Sequence, residues 1–148
     1  MRRAVAGSLE LDDDVRVDVD AVYAFLSQQS YWAQGRTRDE VATTLTTAAR
    51  VVGLYDDDDL VGFARALSDY VHIAYLADVY VLPAYRGRGL GVELVRETVD
   101  AGPLSHLRWW LSTGDAHELP PLRVRRARRG VHDPAPAAIT QAGISRDV

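Results

Sequence analysis

The stretch Val79-Tyr-Val-Leu-Pro-Ala-Tyr-Arg-Gly-Arg-Gly-Leu-Gly91 joins a β-rich run to the start of a segment with helical apolar spacing. Pro83 ends strand pairing because it has no N–H to donate. Glycine at every second position from 87 to 91 permits the positive φ angles of a tight turn. The pattern predicts a strand, a sharp turn and a helix in quick succession.

The predicted turn has the chemistry of an anion site. A helix that begins near Gly89 presents N–H groups without intrahelical acceptors, and its dipole favours negative charge. Arg86 and Arg88 add charge and hydrogen-bond donors at the rim. A diphosphate is therefore the expected ligand, and the alternative is a glycine-rich turn that binds nothing.

Spacing separates this turn from other phosphate loops. A dinucleotide-binding fingerprint requires G-x-G-x-x-G after the first strand, whereas these glycines follow G-x-G-x-G late in the chain. A Walker loop requires a lysine, and all 17 basic residues of this chain are arginine. Neither a Rossmann nor a Walker nucleotide site is expected.

Composition excludes several further classes. The 148 residues are 47% hydrophobic and 26% charged, which fits one globular domain. The absence of cysteine excludes disulfides, a thiol nucleophile and a thiolate zinc site. The four histidines show no i, i+4 pair, so no metal is expected; they are His72, His106, His117 and His132. No apolar run reaches membrane-spanning length and no signal core follows the N-terminus, so a cytoplasmic protein without a membrane partner is expected.

Regular elements are predicted on both sides of the turn. A first helix begins at Asp18 or Asp20 and runs to about Gln28, and the capping box Thr37-Arg-Asp-Glu40 begins a second helix. Residues 50–55 and 60–67 form a hairpin with residues 56–59, four aspartates, at its tip. This tip lacks the glycine and distal glutamate of a calcium loop. Residues 71–82 form a strand, 89–101 a helix, 107–112 a strand, and another helix begins at 115.

These residues resemble the GCN5-related N-acetyltransferase (GNAT) family, whose signature R/Q-x-x-G-x-G/A follows a strand and commonly V-x-P. The resemblance implies an α+β fold, in which helices flank a mixed, mostly antiparallel sheet with a splayed central strand. It implies acetyl-CoA as co-substrate and direct transfer of the acetyl group to a primary amine on a small molecule or peptide. The implied coenzyme A contacts are the strand residues Val79, Tyr80 and Val81 and the signature residues Arg86, Gly87, Arg88, Gly89, Leu90 and Gly91. Further stretches, such as Ser30-Tyr-Trp32, resemble a bacterial branch whose acceptor is unassigned.

Direct transfer needs a base, and Asp78 is the candidate. Strand alternation places it on the side of Leu76 and Tyr80, next to the expected thioester. The alternative role is a structurally paired carboxylate. A strand amide within Val79 to Val81 would stabilise the oxyanion.

Acceptor-pocket residues are suggested by the resemblance alone. Tyr31 and Trp32 are candidates, although aromatics between two helices are as often plugs of the core. His117 is a third candidate, whereas Asp115 fits a helix cap better than a catalyst.

The family pattern breaks after about Glu118. The family commonly continues L-Y-R-R-F-G-F, and its tyrosine can protonate the departing thiolate, but this chain reads Leu119-Pro-Pro-Leu-Arg-Val124. Codons that encode L-Y-R-R-F-G-F can, when read in a shifted frame, encode L-P-P-L-R-V. We therefore expect a GNAT domain over 1–118 and an irregular, out-of-frame tail over 119–148, with the C-terminal strands missing or replaced. An impaired acyl-CoA-binding module of the same fold is the alternative function.

The tail offers one rival interpretation. It could be a nucleic-acid-binding arm, because five arginines fall within seven residues: Arg123, Arg125, Arg126, Arg128 and Arg129. No aromatic residues are interleaved with them, and the net charge is −4, so nucleic acid is disfavoured as a partner. The sequence leaves a monomer and a homodimer open.

Overall fold

A computed structural model of the chain describes residues 2–13 and 17–111. The elements within them are β1 (Arg2–Ala6), β2 (Leu9–Asp12), α1 (Val19–Gln29), α2 (Arg38–Thr46), β3 (Arg50–Asp56), β4 (Asp59–Ser68), β5 (Ile73–Val81), α3 (Leu90–Asp100) and β6 (Arg108–Leu111). A single 3₁₀ turn, Pro83–Tyr85, lies between β5 and α3. The helix predicted from residue 115 and the tail over 119–148 fall outside the described residues.

The six strands form one sheet in the order β1-β2-β3-β4-β5-β6. Neighbours from β1 to β5 are antiparallel, and β6 is parallel to β5 after the α3 crossover. The predicted fold class, an α+β arrangement with a mixed and mostly antiparallel sheet, is confirmed. Described pairing between β5 and β6 covers Ile73–Leu76, so residues 77–81 of β5 extend beyond it.

Helices cover both faces of the sheet. Leu94 and Val95 of α3 are fully buried against one face, in a cluster that includes Leu54 of β3. On the other face, Val22 of α1 and Val41 of α2 are fully buried in a cluster with side chains of β4 and β5. The sheet is thus the middle layer between α3 on one face and α1 with α2 on the other.

Both N-terminal helix predictions are confirmed in detail. Asp18 caps α1 by accepting from the N–H of Asp20 at 2.8 Å. Thr37 and Glu40 form the predicted capping box of α2, in which the Glu40 carboxylate accepts from the Thr37 N–H at 2.7 Å. The cap residues therefore fix where each helix begins, as their hydrogen-bonding chemistry predicts.

The predicted hairpin forms, but its turn contains two aspartates and not the four that were predicted. Asp56, the last residue of β3, pairs with Asp59, the first residue of β4, so only Asp57 and Asp58 turn the chain. Asp56 is held in place because it accepts hydrogen bonds from the hydroxyls of Ser8 and Tyr85. The strand predicted over 71–82 likewise starts later, at Ile73.

The hairpin of β1 and β2 was not predicted. Its turn is built on Gly7, whose φ is 60°, between strands of only five and four residues. Arg3 ties it to α3 through ion pairs of 2.7 Å to Glu97 and 3.1 Å to Glu93. The turn residues Gly7 and Ser8, with residues of β propensity on both sides, were the sequence signal for this hairpin. Strands this short show too little periodicity to be predicted from alternation.

The loop after β4 carries a pH-dependent contact. Asp69 Oδ1 accepts from the N–H groups of Val71, His72 and Ile73 at 2.8–3.0 Å, and these bonds, that of Ile73 most, lower the pKa of Asp69 to about 2. The unfolded chain therefore binds this proton more tightly than the folded chain. The stabilisation is present above about pH 4 and is lost as the pH falls through about 2.

Asp69→Asn is accordingly expected to flatten the fall in stability between pH 4 and pH 2, measured by urea unfolding across that range. The control is Asp100→Asn, because the exposed Asp100 accepts no hydrogen bond within the described residues. A slope that Asp69→Asn leaves unchanged would contradict the assignment.

Candidate functional site

The glycine turn between β5 and α3 presents open backbone. Gly87 and Gly89 both have φ of 74°, and Gly89 is the N-cap of α3. A Cβ at either position would meet no atom within 4 Å, so the space beside the main chain is free. Leu90 is buried and anchors the start of the helix. A ligand can therefore reach the N–H groups of the first helical turn.

Two arginines flank this turn, and each is held against an aromatic ring. Arg86 Nε donates to the carbonyl oxygen of Val81 at 2.8 Å, and its guanidinium lies 5.3 Å from the centre of the Tyr80 ring. Arg88 lies 5.8 Å from the centre of the Tyr85 ring. Both side chains stay at the exposed rim of the turn, where their charge favours an anion.

Two tyrosines, Tyr80 and Tyr85, lie next to the glycine turn and contact its arginines. Tyr85 donates to Asp56 Oδ2 at 2.9 Å, and this hydrogen bond raises the pKa of Tyr85. Tyr80 stacks on Phe25 of α1 at 5.1 Å, and burial raises the pKa of Tyr80. Both phenols therefore stay protonated at neutral pH and act as hydrogen-bonding and packing groups.

A β-bulge interrupts β5 at Asp78. Tyr80 pairs with Phe63 and Ala77 pairs with Arg65, so one extra residue of β5 lies between these pairs. Asp78 takes φ of 48°, an uncommon angle for a residue other than glycine. The bulge shifts the alternation of side chains by one position.

The sequence predicted Asp78 on the same side of the strand as Leu76 and Tyr80, which is correct for Tyr80 and wrong for Leu76. Leu76 packs in the cluster on the α3 face, whereas Tyr80 packs in the cluster on the α1 face. Asp78 points to the α1 face with Tyr80, as its hydrogen bond with Arg36 of the α1–α2 loop shows. Simple alternation failed because it assumed an uninterrupted strand.

Two guanidinium groups hold the Asp78 carboxylate, and we call Arg36, Arg65 and Asp78 the bulge cluster. Oδ2 accepts from Arg65 Nε at 2.9 Å and Nη2 at 2.7 Å, and Oδ1 accepts from Arg36 Nη1 at 3.0 Å. Asp78 and Arg65 are buried, while 30% of the Arg36 side chain is exposed. The arrangement matches a paired structural carboxylate, and the role of Asp78 as base stays a prediction.

Sequence reasoning missed both arginines of the bulge cluster. The signal for Arg65 was a charged residue inside the apolar run Val61–Leu67 of a predicted strand, since a buried charge requires a partner. Arg36 gave no such signal, because its loop position is ordinary for an arginine.

Tyr31 and Trp32 lie on the surface of the α1–α2 loop. Their rings meet edge to face with centres 5.2 Å apart, and the residues are 68% and 43% exposed. They are not plugs of the core, and their role in an acceptor pocket stays a prediction. His117 and Asp115 lie outside the described residues.

A separate cavity of about 390 Å³ lies between α1 and the β3–β4 tip. Its lining includes Phe25, Asp59, Leu82 and Tyr85, so it borders the start of the glycine turn but not the bulge cluster. Within residues 2–13 and 17–111, no three acidic or histidine side chains are grouped to hold a metal. None of the helices described here has the length and apolarity to cross a bilayer.

Comparison with known proteins places this geometry in a family. The family model of the acetyltransferase (GNAT) family matches residues 19–119, more than half of the chain and the whole span from α1 through β6. This chain belongs to the GNAT family. The GNAT match includes the glycine turn, the bulge cluster and the exposed aromatic pair.

Individual relatives agree with this membership. A GNAT-family protein of Xanthomonas campestris pv. campestris has a crystal structure that aligns with a TM-score of 0.69 and 33% identity, over 77% of this chain and 86% of that one. A candidate acetyltransferase of Gibberella zeae is 27% identical over 117 residues. That match covers 65% of this chain and 65% of the curated relative.

A more distant structure has the fold with a ligand. N-acetylglutamate synthase from Neisseria gonorrhoeae, complexed with coenzyme A and N-acetyl-glutamate, aligns with a TM-score of 0.62 over 77% of this chain and 27% of that one. At 17% identity, this similarity shows the shared GNAT fold.

Proposed function

We propose that this GNAT protein transfers an acetyl group from acetyl-CoA to a primary amine of a small molecule or peptide, in the cytoplasm. The observation that carries the proposal is the glycine turn: two residues at φ of 74° expose open backbone at the N-terminus of α3. Donors and a helix dipole converge there on a space of the kind a pyrophosphate fills. Membership of the family supports the same ligand.

Coenzyme A would run from this turn along β5. Its pyrophosphate would accept from the N–H groups of residues 87–91, with Arg86 and Arg88 at the rim. The main chain of Val79–Val81, beyond the described β5–β6 pairing, would bind the amides of the pantetheine arm. The thioester would then lie close to the bulge at Asp78.

The reaction requires a neutral amine next to that thioester. The amine nitrogen attacks the carbonyl carbon, and a main-chain N–H near Val79 would stabilise the oxyanion. The C–N bond forms, the C–S bond breaks, and the amine loses one proton to a base. Asp78 is the proposed base through Oδ1, which has Arg36 as its one donor among the described residues. The coenzyme A thiolate leaves without strict need of an acid, because the pKa of an ordinary thiol is only about 8.5.

Thiol release from acetyl-CoA over a panel of amines tests this function. Release that depends on both an amine and the protein is expected, and mass spectrometry should find the acetylated amine. Tight acetyl-CoA binding with no thiol release for any amine would instead favour the impaired binding module. The chemical reason for such an outcome is that Pro120 and Pro121 stand where the resemblance expects a helix with a tyrosine.

We further propose a GNAT domain over residues 1–118 and a change of reading frame at or just before Leu119. The end of the family match at residue 119 supports this boundary. Nucleotide sequencing across the codons for residues 115–125 tests it. A gene that cannot encode the family pattern in any frame would refute the frame change.

A further inference from the structure

The bulge cluster carries an excess of positive charge. Arg36 and Arg65 contribute two guanidinium groups against the single carboxylate of Asp78. Within the described residues, Arg65 Nη1 and the Nε and Nη2 atoms of Arg36 make no hydrogen bond. Glu40 lies near enough to Arg36 for electrostatic attraction, but its carboxylate accepts hydrogen bonds from Thr37 in the capping box and none from Arg36. Two cations that share one carboxylate leave one positive charge uncompensated within the cluster, which favours an anionic ligand.

Next to the cluster lies a row of exposed apolar side chains, Leu67, Tyr75 and Trp110, which we call the apolar row. Tyr75 of β5 pairs with Leu67 on one side and with Trp110 on the other, so the three lie side by side across three strands. Each is between 38% and 54% exposed.

The apolar row and the bulge cluster share one face of the sheet. Ala66 is buried in the core cluster beneath the opposite face, so Arg65 and Leu67, its neighbours in β4, both point to the α1 face. Trp109 packs beneath the opposite face, and Trp110 therefore points to the α1 face as well. Positive charge and apolar side chains thus share one face of the sheet, and Leu67 lies two residues from Arg65 along β4. A ligand with an anionic group and an apolar body matches this face in chemistry.

We infer that the acetyl acceptor is an amine that also carries a carboxylate and an apolar body. The carboxylate binds the unused donors of Arg36 and Arg65, and the apolar body lies on the row of Leu67, Tyr75 and Trp110. This inference rests on the proposed function. Guanidinium groups match a carboxylate in charge and geometry, and the cluster adjoins the strand that would hold the thioester.

Asp78 has a positioning role in this arrangement. It fixes Arg65 through two hydrogen bonds to Oδ2 and fixes Arg36 through one to Oδ1, so the remaining N–H donors have set directions. Arg36 thereby ties the α1–α2 loop, which contains the exposed Tyr31 and Trp32, to the carboxylate site.

Matched ligand pairs test the inference on the full chain. The pairs are L-phenylalanine and phenethylamine, L-tryptophan and tryptamine, L-tyrosine and tyramine, and L-leucine and isoamylamine. For at least one pair, kcat/KM of the carboxylate member should exceed that of its partner by about 10- to 100-fold, the scale of a charge-assisted hydrogen bond. The corresponding N-acetyl products should show the same preference in calorimetric titrations of the coenzyme A-bound protein.

Variants assign the preference to residues. Arg36→Gln should remove most of it while acetyl-CoA affinity stays unchanged, and Trp110→Ala should weaken both members of a pair alike. Arg96→Gln is the matched control, because Arg96 is an exposed arginine on α3 that pairs with Glu93. This control should keep the preference.

The outcomes separate the inference from the proposed function. If no carboxylate member is preferred in turnover or in product binding, or if Arg36→Gln keeps the preference, the inference is overturned while acetyl-CoA binding still supports the function. If acetyl-CoA itself does not bind, the proposed function is refuted as well.

Discussion

Asp78→Asn is expected to lower the free energy of unfolding by about 3–5 kcal/mol, the range for breaking a buried ion pair by removing one partner. The substitution leaves the buried guanidinium of Arg65 and the half-buried one of Arg36 without their shared carboxylate. It also weakens the link between β4, β5 and the α1–α2 loop. Urea unfolding followed by circular dichroism measures the change.

A double variant, Arg65→Met with Asp78→Leu, separates charge from packing. Replacing both members of a buried pair by apolar side chains is often neutral, so this protein should recover part of the lost stability. The recovery is reduced by about 1–2 kcal/mol, because leucine tolerates the φ of 48° at position 78 less well than aspartate does. The partly exposed Arg36 can turn to water. An unchanged urea midpoint in Asp78→Asn would show that the bulge cluster does not stabilise the fold.

The double variant also tests Asp78 as the base. If Asp78 removes the amine proton, turnover should stay about 10²–10⁴-fold below wild type even where stability has recovered. Turnover that returns with stability, for an amine without a carboxylate, would assign Asp78 a positioning role alone.

Gly89→Ala is expected to weaken acetyl-CoA binding by at least about tenfold, the equivalent of one lost charged hydrogen bond. Gly89 has φ of 74°, an angle that costs other residues about 1–2 kcal/mol. Its Cβ would enter the open space beside the turn, where the pyrophosphate is expected. Calorimetric titration with acetyl-CoA gives the affinity, and urea unfolding gives the stability.

Gly7→Ala is the matched control for the loss of stability that alanine causes at a positive φ angle. Gly7 has φ of 60° in the β1–β2 turn, and a Cβ there also meets no atom within 4 Å. Both variants should therefore lose similar stability, but Gly7→Ala should bind acetyl-CoA as the wild type does. Equal loss of affinity in both would mean that Gly89 acts through stability and not through the ligand.

Local chemistry made much of this fold predictable from the sequence. The capping box Thr37–Glu40 and the cap Asp18 set the starts of two helices by hydrogen bonds within four residues. The glycine turn was equally predictable, because the positive φ angles observed at Gly87 and Gly89 favour glycine.

Features that depend on long-range contacts were not predictable. The bulge at Asp78 reverses the facing of Leu76 relative to Tyr80, and it is held by Arg65 from the neighbouring strand and Arg36 from a distant loop. The exposure of Trp32 likewise depends on how the α1–α2 loop docks. Alternation and spacing contain no information about such partners.

Coenzyme A binding at the glycine turn is the central claim, and isothermal titration of the full chain with acetyl-CoA tests it most directly. One saturable site is predicted, with affinity reduced in Gly89→Ala and retained in Gly7→Ala. A folded wild-type protein that binds no acetyl-CoA, or a Gly89→Ala variant that binds it with unchanged affinity, would contradict the account.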